Sequence, residues 1–113
     1  MISRSGFFIL DKQAGISSAR AIADLKRKLA IPKIGHAGTL DPFATGILVV
    51  LVNRATKLAD LVTGGQKSYR AGFRFGVATD TDDLTGKVIS LSERIPLLSE
   101  LQQIVPNFTG QIQ

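Results

Sequence analysis

The sequence has 113 residues, 44% hydrophobic and 20% charged, enough for one modest globular domain with a single core. It holds no cysteine and one histidine, His36, which excludes disulfides, thiolate metal sites, a cysteine nucleophile and multi-histidine metal centres. The net charge is +5 and is unevenly spread. Residues 1–36 carry seven Lys/Arg (Arg4, Lys12, Arg20, Lys26, Arg27, Lys28, Lys33) against Asp11 and Asp24, and the remainder carries seven of each sign. A basic segment of this kind either tracks phosphates or is a solvated helix face.

Phe7 to Leu10 reads as a short buried strand and Lys12-Gln-Ala-Gly15 as a turn. Gly6-Phe-Phe-Ile-Leu10 is too short for the apolar part of a secretion signal. Ser17 or Ser18 is placed to cap a helix running to about Leu29. Ile22, Leu25 and Leu29 share one face at helical spacing, and Arg20, Asp24, Arg27 and Lys28 share the other. Pro32 and Gly35 then break the chain. Gly35 to Gly46, with three glycines and a proline, reads as a shaped loop. Ile47 to Val52 follows as an apolar strand buried on both faces. This is the longest apolar run, far below the roughly 20 residues that span a bilayer, so the expected location is the cytoplasm.

Thr56 to Val62 is expected as a short helix ending at Gly64-Gly65. Lys67 to Phe75 alternates, with Tyr69, Ala71, Phe73 and Phe75 on one face, and is expected as a half-buried strand. Asp80 to Gly86 reads as a polar turn, Lys87 to Leu91 as another strand, and Ser99 as the cap of a last helix that stops at Pro106. Gly110-Gln-Ile-Gln reads as the start of a further strand, so the chain is expected to be part of a longer domain. The elements do not repeat as βαβ, which points to an α+β fold and not to a Rossmann-type one.

Chemistry concentrates in the loop. Asp41 precedes Pro42, so its backbone is pushed away from the α region. Gly35, Gly38 and Gly46 permit unusual dihedrals or close approach of another backbone. The loop can hold a carboxylate at the mouth of a cleft, yet Asp-Pro is also the pattern of a helix N-cap and its first residue. His36 reads as a base, a stacking partner or a plain loop residue, and Tyr69 as a core tyrosine or as a ring stacking on a nucleobase. Asp80, Asp82 and Asp83 lack the alternation of a calcium loop. His36, Thr39 and Asp41 lie too close in sequence for a hydrolytic triad, and no phosphate-binding P-loop is present.

Gly35-His-Ala-Gly-Thr-Leu-Asp-Pro-Phe-Ala-Thr-Gly-Ile-Leu48 closely resembles the catalytic motif of the TruB-type tRNA pseudouridine synthases. Leu10-Asp-Lys12 with Gly15-Ile-Ser-Ser18 resembles the family's N-terminal motif, and Ala55-Thr-Lys-Leu58 the segment after the buried strand. Lys67-Ser-Tyr-Arg70 resembles the motif of the active-site tyrosine, and Gly76-Val-Ala-Thr-Asp-Thr-Asp-Asp83 with Gly86 the turn after it. The likeness covers essentially the whole chain. Two positions depart: Gln13 stands where the family usually has proline, and Asn53 where glycine is usual.

The resemblance implies the N-terminal part of the mixed-sheet pseudouridine synthase catalytic domain over residues 1–113, without a C-terminal RNA-binding domain. Family members are well over twice this length, and their later Tyr-Ile-Arg motif, whose arginine pairs with the catalytic aspartate, has no counterpart here. The implied reaction is isomerisation of a specific uridine in the T arm of tRNA to pseudouridine. It uses no cofactor or metal, and no membrane or protein partner is implied. The base is flipped out of its stack before chemistry. Asp41 is the implied catalytic residue, acting as a nucleophile on the uracil ring or the sugar, or as a base-side carboxylate; carboxylic acids are generally ionised at neutral pH. Tyr69 would stack on the flipped base, and His36 would occupy the T-loop stack near the site it vacates. Residues 1–113 alone are expected to be inactive. The competing reading is a basic RNA-binding module without catalysis, and the reading frame beyond Gln113 distinguishes the two.

Overall fold

A computed structural model describes residues 3–112. They form two compact units, the first ending at Ser68 and the second beginning at Tyr69. The architecture is α+β, as the order of elements implies. Among the described residues no helix is long and apolar enough to cross a membrane.

The first unit contains β1 (Gly6–Lys12), α1 (Ser18–Leu29), β2 (Ile34–Ala37), β3 (Gly46–Val52), a 3-10 turn (Asn53–Leu58) and α2 (Ala59–Thr63). The strands form an antiparallel sheet in the order β1-β3-β2. The most apolar strand takes the centre, where both edges are paired. Leu48, Val50, Leu51 and Val52 are between 0% and 5% exposed and Val49 is half-buried, so burial on both faces is complete only from Val50 onward. Ile47, paired with Asp11 near the end of the ladder, is 69% exposed.

The expectation of a short buried strand at Phe7–Leu10 needs correction. β1 is longer and sits at the sheet edge, and its side chains alternate between a covered and an open face. Phe8 and Leu10 pack against the core, whereas Phe7 and Ile9 are exposed. Helix α1 covers one face, inserting Ile22 against Leu48 and Val50, with Leu25 and Ile34 beside them.

The helix begins as its sequence implies. Ser17 is the N-cap, and its hydroxyl accepts from the Arg20 N–H at 3.1 Å, satisfying one of the amide donors that a helix start leaves open. At the other end Ala30 turns left-handed and the Ile31 N–H bonds back to the Lys26 carbonyl at 3.1 Å. On the outer face Asp24 pairs with Arg20 at 3.4 Å and Arg27 at 3.0 Å. Leu29 remains exposed in the last turn.

Gly35 does not break the chain. It lies inside β2, opposite Leu51, so the loop begins at Gly38 and is the connection of a β2–β3 hairpin. Asn53 explains its departure from the family's usual glycine. Its φ is +54°, a left-handed value that asparagine tolerates better than most residues. Its amide group donates to the Arg4 carbonyl at 2.7 Å, and its side-chain oxygen accepts from the Lys33 N–H at 3.3 Å. The chain after it winds through the 3-10 turn into α2, which ends at Gly64 as expected.

The second unit contains β4 (Val77–Thr79), β5 (Val88–Leu91), α3 (Leu98–Ile104) and a 3-10 turn (Val105–Phe108). The expected strand at Lys67–Phe75 is not formed: these residues are exposed and unpaired. Alternation supplies an apolar face but not a partner strand, and the antiparallel pairing falls later, between β4 and β5. Gly76 opens this hairpin at φ +87°, where an added Cβ would lie 2.7 Å from the Ser92 carbonyl oxygen; no side chain fits.

The Asp80–Gly86 turn is present. Asp83 accepts from the Thr81 hydroxyl at 2.8 Å, the Thr85 N–H at 2.8 Å and the Thr85 hydroxyl at 2.6 Å. Ser99 is not the cap of α3. The helix starts one residue earlier, and the Glu100 carboxylate accepts from the Leu97 N–H at 2.8 Å, the reciprocal half of a capping box. Pro106 falls in the turn that ends the helix. Residues 111–112 form no strand, and Gln113 lies outside the described residues.

Two outcomes follow from these contacts. Leu48→Ala should destabilise the complete protein by about 2–5 kcal/mol in urea denaturation, while exposed Lys28→Ala should stay within about 0.5 kcal/mol. The Thr85 hydroxyl and amide, then the Thr81 hydroxyl, hold the Asp83 carboxyl below the usual carboxylate range. A depressed folded value contributes stability above the unfolded value and loses it as pH falls through the folded one. Amide protection of the β4–β5 hairpin should therefore fall below about pH 4, and Asp83→Ala should remove that acid dependence.

Candidate active site

The loop joining β2 to β3 is short of regular hydrogen bonds, so its shape depends on what grips it from outside. Three residues of the β1–α1 segment do so. Ser18, the first residue of α1, is 2% exposed. Its hydroxyl accepts from the Leu40 N–H at 2.9 Å and donates to the Leu40 carbonyl at 3.0 Å. The Gly15 N–H donates to the Pro42 carbonyl at 2.7 Å. Lys12, at the end of β1, is 1% exposed, and its ammonium donates to the carbonyls of Gln13 and Ile16, each at 2.8 Å, and of Pro42 at 3.3 Å. Burying an ammonium costs several kcal/mol unless its donors are met. Here three carbonyl oxygens take all three.

Asp41 sits between the two clamped residues, Leu40 and Pro42. Its carbonyl accepts from the Ala44 N–H at 3.0 Å, so Asp41-Pro42-Phe43-Ala44 is a tight turn and not the start of a helix. The capping alternative for Asp41-Pro42 is thereby removed. The Asp41 side chain is exposed, and among the described residues it makes no hydrogen bond or ion pair. The result is a carboxylate on a backbone held at both neighbours, with its oxygens open to a ligand.

His36 lies in β2 opposite fully buried Val50, so it belongs to a strand and not to a loop. The ring is half-buried, and its Nδ1 is buried without a hydrogen-bond partner among the described residues. Such orphaned polar atoms call for a functional or solvent partner. His36 and Asp41 therefore share one hairpin. Tyr69 falls in the second unit and is 70% exposed. Among the described residues nothing packs around its ring, so its place in a core or at a pocket is decided by experiment on the complete protein. Among the described residues no group of three or more His, Cys, Asp or Glu side chains gathers to hold a metal ion.

Neither the basic charge of Lys12 nor the capping propensity of Ser18 indicates these contacts. For Lys12 strand periodicity carries the signal: Phe8, Leu10 and Lys12 are two apart and share the covered face of β1. Capping itself falls to Ser17.

The N-terminal-domain model of the TruB family of pseudouridylate synthases matches residues 26–113, and the chain belongs to that family. A tRNA pseudouridine synthase B of Ehrlichia ruminantium is 42% identical over 108 residues, covering 96% of this chain and 36% of that protein. The protein of that name from Bordetella avium is 42% identical over 96% of this chain and 46% of its own length. The one from Aquifex aeolicus is 40% identical over 95% and 37%. The chain thus spans between 36% and 46% of these relatives. The α+β arrangement of the described residues is consistent with the N-terminal part of a TruB pseudouridine synthase domain. The Lys12–Ser18 clamp precedes the segment that the family model matches.

Removing the clamp should cost stability through buried groups left unpaired. Lys12→Met is expected to lower the unfolding free energy of the complete protein by about 2–4 kcal/mol, and Ser18→Ala by about 1–3 kcal/mol. Urea denaturation checks both, and values near zero would show that the loop keeps its shape without them.

Proposed function

We propose that the complete protein isomerises a uridine in the T arm of tRNA to pseudouridine, with Asp41 as the essential carboxylate. The observation that carries this reading is the unpaired, exposed Asp41 side chain on a turn clamped at Leu40 and Pro42. Relatives bearing the name tRNA pseudouridine synthase B support the substrate class. In this reading the target nucleotide leaves its stack, and Asp41 acts while the N1–C1′ bond breaks. The uracil turns, the C5–C1′ bond forms, the C5 proton is released, and N1, which kept the bonding pair, takes up a proton. Atoms and electrons balance without an oxidant, reductant or cofactor.

Tyr69 stacks on the flipped base, and His36 enters the T-loop stack near the site the base leaves. The exposed cations Lys26, Arg27, Lys28 and Lys33 supply phosphate contacts, and a tRNA substrate is the reason for reading the protein as cytoplasmic. No arginine pairs with Asp41 among the described residues. Residues 1–113 alone are accordingly proposed to bind RNA weakly and to turn nothing over. If about three phosphates are neutralised, the log–log salt slope should be roughly −2 to −3.

The test uses the complete protein and tRNA labelled with tritium at C5 of uridine. Asp41→Asn keeps the side chain's shape but removes its charge; tritium release should vanish while tRNA binding persists. Near-normal turnover by this variant would overturn the catalytic assignment, and binding without turnover by the unaltered protein would favour an RNA-binding module. Tyr69→Phe should keep most of the affinity, and Tyr69→Leu should weaken it by about 1–3 kcal/mol. A loss confined to melting temperature would instead give Tyr69 a structural role.

A further inference from the structure

We propose that Lys67 is a phosphate-binding residue of the Asp41 loop, taking the RNA backbone beside the nucleotide on which Asp41 acts. The inference rests on the proposed reaction and adds a binding residue to it. It starts from Gly38, the first residue of the loop after β2. Gly38 has φ +82°, and the nearest atoms to the place of its missing Cβ are Lys67 Cε at 3.7 Å and Nζ at 3.8 Å. The end of the Lys67 side chain therefore lies over the backbone that leads to Asp41.

Position alone does not make a ligand, but the state of the ammonium adds to it. Lys67 is exposed and makes no hydrogen bond or ion pair among the described residues, and it is not paired with Asp41. The other lysine at this loop, Lys12, is buried with its three donors spent on carbonyls. Lys67 is thus a loop-side cation with donors open to a ligand. The chemistry requires one. A carboxylate aimed at a nucleotide faces a polyanion, and a nearby cation offsets that repulsion most effectively when it contacts the phosphate directly.

The experiment compares Lys67→Gln and Lys67→Arg in the complete protein, measuring tRNA affinity against salt, tritium release and melting temperature. The Gln variant should bind about tenfold more weakly, with a log–log salt slope smaller in magnitude by about one. The Arg variant should retain both the affinity and the slope. Because Lys67 makes no hydrogen bond or ion pair among the described residues, both melting temperatures should match the unaltered protein. Unchanged affinity and slope in Lys67→Gln would overturn the proposal. So would an Arg variant as weak as the Gln variant, or a fall in melting temperature with unaltered affinity. Absence of tritium release from the unaltered protein would instead count against the proposed reaction.

Discussion

The buried ammonium of Lys12 is the interaction on which the candidate site depends. It ends β1, lies beneath the turn that leads into α1, and reaches the Pro42 carbonyl of the β2–β3 loop. A single cation thereby ties together a strand, a helix entry and the segment that carries Asp41. The contact with the loop is polar, made to the backbone carbonyl of Pro42. The Ser18 hydroxyl completes the arrangement by satisfying both polar groups of Leu40. A loop with little hydrogen bonding of its own acquires a defined shape from polar groups supplied by another element. A chemical group held on a rigid support loses less in orientation when it reacts.

The hydrophobic part of the unit sets the stage for this clamp. Val50 and Leu48 make β3 the central strand, and Ile22 brings α1 onto them. The helix must then start near the end of β1, which puts Ser17 at its cap and Ser18 within reach of Leu40. The two serines share one motif and divide two tasks: the first caps the helix and the second holds the loop. The antiparallel β2–β3 pairing fixes the other side, since Ala37 opposite Val49 sets the span the loop must close.

Much of this was legible from local pattern. The helix bounds, the apolar central strand and the Asp80–Gly86 turn follow from capping, periodicity and turn chemistry, which are properties of neighbouring residues. The loop was recognisable by its glycines, and Asp41 by its motif. What could not be read depended on partners distant in sequence. The strand expected at Lys67–Phe75 needs a neighbour that alternation does not reveal, and Phe7 is exposed because α1 covers only one face. Lys12 contacts Pro42 across thirty positions, and a lysine in a basic segment is ordinarily read as surface. Ser99 lost its expected role to Glu100, whose carboxylate reaches the same helix start from inside it.

Backbone hydrogen exchange of the complete protein tests the clamp most directly. The amides of Leu40 and Gly15 lie outside helices and strands, yet each donates to a partner across the clamp. They should exchange at least tenfold more slowly than the amides of Thr39 and Phe43 in the same loop, as bonded groups released only by local opening do. Exchange of Leu40 and Gly15 at the rate of those neighbours would contradict the account, because it would mean that the segment carrying Asp41 is not held.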